Sequence, residues 1–182
     1  MLSKEFVCGG KAIFTLEVPE SFQKQENTRP HYTYKVSEPK FTVPFLFVSV
    51  LTGPENTKDY TYLGILFPET GIVKFTEKSQ FTNDAPCVRL LRRVTANLWA
   101  GTGAKIEAAG FKLHHEGKCG KCGRRLTVPQ SIECGIGPEC IKGMGYGAPV
   151  VTGMDIARNG GIMEDVYGSP DWETENDWYK ES

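Results

Sequence analysis

Apolar and polar positions change period along this chain of 182 residues. From Ala12 to Val18 apolar residues alternate with polar ones, and Pro19 stops the run. Residues 20–30 are polar and predict a loop. Tyr32 to Val36 alternates again. Phe45 to Leu51 is almost continuously apolar, which predicts a central strand buried on both faces. Residues 52–59 carry turn chemistry. Tyr60 to Phe67 and Ile72 to Phe75 then predict two further strands around the turn Pro68 to Gly71. Short connections between consecutive strands point to an antiparallel meander.

The period then becomes helical. Cys87, Val88, Leu91, Val94, Leu98 and Trp99 recur at helix spacing. Asp84 is a candidate N-cap, Pro86 suits the first turn, and Gly101 and Gly103 end the pattern. The apolar stripe belongs against the sheet, with Arg89, Arg92 and Arg93 facing solvent. Phe111 to Leu113 suits one more short strand. After Cys140 glycines punctuate a segment of weak periodicity. The pattern therefore predicts an α+β protein in three parts. Residues 1–104 form an antiparallel sheet packed by one main helix, 105–145 a small zinc-knuckle or ribbon-like module, and 146–182 an irregular acidic tail.

Composition supports a folded chain, with 40% hydrophobic and 11% aromatic residues. The net charge of −1 conceals an asymmetry. Residues 155–182 hold eight acids against two bases, a net of −6, and the other residues carry +5. No run reaches the about 18 apolar residues needed to cross a bilayer. The start, MLSKEFVCGG, lacks the apolar stretch of a secretion signal. These features predict a cytoplasmic protein with no membrane partner, and cysteines that bind metal rather than form disulfides.

Candidate chemistry concentrates between His114 and Cys140, which hold four of the six cysteines and two of the three histidines. Cys119-Gly-Lys-Cys122, turned by Gly120 and Gly123, has the form of a zinc knuckle. The second half is less regular, with Cys134 and Cys140 separated by five residues. Two ligand sets satisfy the four-coordinate preference of structural zinc. One is Cys119, Cys122, Cys134 and Cys140. The other replaces Cys134 with His115. No acid stands in an H-x-E or H-E-x-x-H arrangement, and nucleotide-binding and nucleophile-elbow signatures are absent, so no enzyme or small-molecule substrate is expected.

The segment resembles an uncharacterised domain of phage and plasmid proteins with the motif His-x3-Cys-x2-Cys-Gly-Arg-x-Leu-Thr-x-Pro-x-Ser, then Gly-Ile-Gly-Pro-x-Cys. The matching positions are His115, Cys119, Cys122, Gly123, Arg124, Leu126, Thr127, Pro129, Ser131, Gly135, Ile136, Gly137, Pro138 and Cys140. The resemblance implies bound structural Zn2+, a mobile-element origin and, since the motif requires no cysteine at position 134, His115 as the fourth ligand. It implies no activity.

Around the knuckle, Lys118, Lys121, Arg124 and Arg125 suit phosphate contact, with Lys105, Lys112, Arg89, Arg92 and Arg93 as further contributors to a positive face. Ordinary solvated charge is the competing explanation. In the tail, Trp172, Trp178 and Tyr179 stand among acids and suit docking on a partner; packing on the protein's own body competes with that. The expectation is a non-enzymatic zinc-stabilised binding protein that contacts nucleic acid. The alternative is a module that binds and inhibits a host defence or DNA-processing protein, with the acidic tail as effector. Strand aromatics such as Phe14, Tyr34, Phe47 and Tyr62 suit core and cross-strand packing better than base stacking.

Overall fold

The computed structural model describes residues 2–144, so the tail with Trp172, Trp178 and Tyr179 lies outside the described residues. The alternating segments form β1 (Ile13–Glu17), β2 (His31–Ser37), β3 (Leu46–Leu51), β4 (Tyr60–Leu66) and β5 (Val73–Lys74). They follow one another as the expected antiparallel meander. A sixth strand, β6 (Lys112–His115), pairs with the other edge of β1 and gives the order β5-β4-β3-β2-β1-β6. Phe14 stands opposite both Tyr34 and His115 in this register. The strand that leads into the cysteine cluster is therefore an edge of the main sheet.

The helical stripe forms α3 (Pro86–Trp99), following two short helices named below. It buries Cys87, Val88, Leu90, Leu91, Val94 and Leu98. The same core takes Phe14 and Leu16 of β1, Tyr34 and Val36 of β2, and Val48 and Val50 of β3. Two hydrogen bonds tie this layer together. The buried Tyr34 hydroxyl donates to the Cys87 carbonyl at 2.7 Å, and the Trp99 indole donates to the Pro68 carbonyl at 2.8 Å.

Several local expectations change. β3 is not buried on both faces: Leu46, Val48 and Val50 enter the core, while Phe47 and Leu51 are half-buried on the opposite face. The run is continuously apolar because aromatics on that outer face cover one another, with ring centroids 6.0 Å apart for Phe47–Tyr62 and 6.3 Å for Phe45–Phe67. The polar stretch after Pro19 is a helix, α2 (Glu20–Glu26), not a loop. It buries no residue fully and is held from outside. Phe22 packs its ring 5.1 Å from Phe111, Gln23 donates to the Val18 carbonyl at 2.6 Å, and Glu26 meets Arg89 at 2.8 Å. At α3 the N-cap is Ala85 rather than Asp84, with Pro86 opening the helix. A short α4 (Gly103–Ala108) restarts beyond Gly101.

The N-terminal residues also form a helix, α1 (Lys4–Cys8). The Ser3 hydroxyl accepts from the Phe6 N–H at 3.2 Å, a side-chain N-cap. Phe6, Val7 and Cys8 are buried, and Phe6 meets Phe14 edge-on at 6.5 Å. Among the described residues no helix is long and apolar enough to cross a membrane.

Tyr34→Phe removes the hydroxyl's bond to the Cys87 carbonyl, which keeps its place in the α3 ladder. It is expected to cost about 1 kcal/mol, seen in urea unfolding as a lower midpoint with an unchanged slope.

Candidate metal centre

The knuckle is a tight hairpin. Leu126 N–H donates to the Gly117 carbonyl at 2.8 Å, Cys119 N–H to the Arg124 carbonyl at 2.8 Å, and Gly123 N–H to the Cys119 carbonyl at 2.9 Å. Lys118 and Arg125 face each other across it as an antiparallel bridge. Two one-turn helices follow, α5 (Pro129–Cys134) and α6 (Pro138–Gly143), each opened by proline. Leu126, Ile136 and Ile141 form a small core beneath them with Cys119.

This arrangement brings three thiols together. The Sγ atoms of Cys119, Cys122 and Cys140 all lie within 4.8 Å of one another. Cys119 is buried, Cys140 half-buried and Cys122 exposed. Their protonation differs for physical reasons. Burial opposes ionisation of Cys119, but backbone N–H groups of Cys122, Gly137 and Lys121 aimed at its sulfur prevail and lower it to about 7. Gly137 N–H lies 3.4 Å from that sulfur. Burial and the neighbouring thiols push Cys140 up to about 11. Three sulfurs this close cannot all be anionic without a cation among them. The group could hold a metal ion.

The expected fourth ligand does not join them. His115 Nε2 faces the Ile132 carbonyl at 2.5 Å, and its Nδ1 accepts from the Gly117 N–H at 3.2 Å. Its ring packs 5.3 Å from Phe6. Pairing with Phe14 in the sheet fixes the His115 backbone on the Phe6 side of the strand. Cys134, the alternative, has its sulfur 3.5 Å from the Ile136 carbonyl and 3.7 Å from that of Ser131. It supports the small core without entering the cluster.

The basic residues separate into committed and free groups. Lys118 pairs with Glu116 at 2.9 Å, and Lys121 with Glu38 at 3.4 Å. Lys112 pairs with Glu17 at 3.0 Å. On α3, Arg89 meets Glu26, Arg92 lies 4.9 Å over the Phe75 ring and Arg93 5.4 Å over Phe22. Arg124 and Arg125 have no ion-pair partner among the described residues. Both line a cavity of about 200 Å³ that opens on the three cysteines.

Much of the motif read from the sequence positions this site rather than ligating. Gly135 ends α5 at φ 79°, a left-handed conformation natural to glycine. Gly120 has no room for a side chain, because a Cβ there would collide with the Phe6 carbonyl. The support from α1 escaped the sequence reading. Its one readable signal was Ser3 placed three residues before Phe6, a capping pattern for a helix too short to show a period.

Fold and site together define an α+β protein with a thiol-rich candidate metal centre joined to its main sheet. The pattern of DUF6011, a family of unknown function, matches residues 114–145, from the end of β6 to just past α6. No curated protein matches the chain, and no solved structure does.

Burial pushes the Cys8 thiol up to about 12, with Glu5 adding to the effect, and it also raises Cys87. At neutral pH both should stay protonated and shielded. In metal-free protein, iodoacetamide is expected to label the exposed Cys122 first, and Cys8 and Cys87 only after denaturant is added, as read by peptide mass spectrometry.

Proposed function

We propose that the protein is a non-enzymatic, zinc-stabilised binding protein of phage or other mobile-element origin, acting in the host cytoplasm and contacting nucleic acid beside the knuckle. Soft thiolate donors favour zinc among common divalent ions. A Zn–S bond of about 2.3 Å places tetrahedral sulfurs about 3.8 Å apart. The three sulfurs, within 4.8 Å of one another, need close by only about an ångström to meet that geometry. Cys119, Cys122 and Cys140 would hold the ion, and the ion would fix the hairpin that carries the basic residues.

The observation that carries the nucleic-acid reading is the difference between the arginines and the lysines. Lys118 and Lys121 already face carboxylates, whereas Arg124 and Arg125 project from the same hairpin without one among the described residues. A guanidinium not committed to a carboxylate can take a phosphate in two-pronged fashion. The sequence carries no nucleophile-elbow, P-loop or dinucleotide-binding signature and no readable Cys-His dyad outside the cysteine cluster, which favours a binding role.

One zinc per chain is expected by elemental analysis, with loss of hairpin structure on chelation. Fluorescence anisotropy with labelled single- and double-stranded DNA and RNA should show log-linear salt dependence. Neutralising Arg124 and Arg125 together should lower the slope by about 2, and neutralising Lys118 and Lys121 by less. No binding of any of the four probes at low salt would refute the nucleic-acid reading.

A further inference from the structure

We infer that a metal ion held by Cys119, Cys122 and Cys140 keeps its fourth position for a small anionic ligand from solvent, which enters through the cavity lined by Arg124 and Arg125. The inference rests on the metal reading above and departs from the closed four-ligand site that the sequence predicts.

Among the described residues, the protein donors nearest the site are engaged elsewhere. Both His115 nitrogens have backbone partners, Ile132 carbonyl for Nε2 and Gly117 N–H for Nδ1. That pattern suits one neutral tautomer, with Nε2 donating and Nδ1 accepting. Swinging the ring toward the thiols would break both bonds and its packing on Phe6. The Cys134 sulfur is turned to the carbonyls of Ser131 and Ile136 and does not line the cavity. Its own carbonyl accepts from the Ser3 hydroxyl at 3.1 Å, which anchors this end of α5 to the N-terminus. Glu139 lines the cavity, but its side chain is 85% exposed and pairs with Lys142 at 3.4 Å.

The cavity, by contrast, suits a ligand from outside. Its volume of about 200 Å³ touches all three cysteines. That is far above the roughly 10–15 Å³ a single water requires. The charge balance also favours an anion. A divalent ion and three thiolates leave one negative charge in excess, and the guanidiniums of Arg124 and Arg125 reverse it. Ser131 adds a donor. The residue is buried, it lines the same cavity, and its hydroxyl has no hydrogen-bond partner among the described residues. An anion bound to the metal would meet two cations and a free hydroxyl. A closing thiolate or imidazole from the chain would leave all three unused.

The test uses the full-length protein loaded with cobalt(II), whose visible bands report the ligands and their geometry. Azide is the probe. Added azide should shift the bands saturably, and Arg124→Ala with Arg125→Ala should weaken its binding by about tenfold. Cys134→Ser and His115→Gln should take up cobalt with unchanged spectra. Uptake of cobalt with bands indifferent to azide overturns this inference alone. A changed spectrum at full loading in Cys134→Ser, His115→Gln or Glu139→Gln identifies that residue as the fourth ligand and also overturns it. Absence of cobalt uptake removes the metal reading and this inference together.

Discussion

Phe6 stands where three parts of the chain meet, and the cysteine cluster depends on it. Its ring faces Phe14 of the sheet on one side and His115 of the edge strand on another. The backbone of Gly120 in the knuckle and of Gly135 after α5 come against it so closely that neither position has room for a Cβ. The Lys11 N–H donates to the Gly120 carbonyl at 2.7 Å, and the Gly120 N–H to that of Gly135 at 3.0 Å. A hairpin of ten residues and two one-turn helices have too few apolar side chains to hold a shape alone. Here α1 and β6 join them to a core large enough to be stable. The glycines serve as contact points for that joint as well as turns of the knuckle.

This joint explains which donors converge. Cys119 lies beneath the hairpin in the small core, Cys122 lies in its turn, and Cys140 sits in the first turn of α6 next to them. Pairing with β1 sends His115 to the Phe6 side, where it meets the α5 backbone at the Ile132 carbonyl, away from the three gathered sulfurs. Electrostatics follow the same placement. Sulfurs pressed together in partial burial resist ionising jointly, while backbone N–H groups gather on Cys119. A cation would resolve that conflict, and the guanidiniums of Arg124 and Arg125, which line the cavity and have no ion-pair partner among the described residues, would accommodate negative charge beyond the thiolates.

Legibility in the sequence followed the range of the interactions. The strands from Ile13 to Lys74 and the helix from Pro86 to Trp99 were readable because a buried face imposes a period on neighbouring residues. The pairing of α2 with Phe111 was not, since Phe22 and Phe111 are far apart in sequence and the helix has no apolar stripe of its own. The run at Phe45 to Leu51 misled for a related reason. Periodicity records how apolar a position is, and cross-strand aromatics on an outer face are as apolar as a core.

For the site, spacing and residue type alone determined that a thiol-rich turn lies between Cys119 and Cys140, and that arginines flank it. Those are properties of a short stretch, set by turn geometry and sulfur chemistry. Only the tertiary structure decided that three cysteines gather without His115 or Cys134, that Lys118 and Lys121 meet carboxylates while Arg124 and Arg125 meet none among the described residues, and that the N-terminal helix supports the whole. Each of those outcomes turns on contacts between residues far apart in the chain, such as Phe6 with Gly120 or Lys121 with Glu38. Local pattern carries no record of such contacts, because they are selected by how the layers pack and not by the period within any one of them.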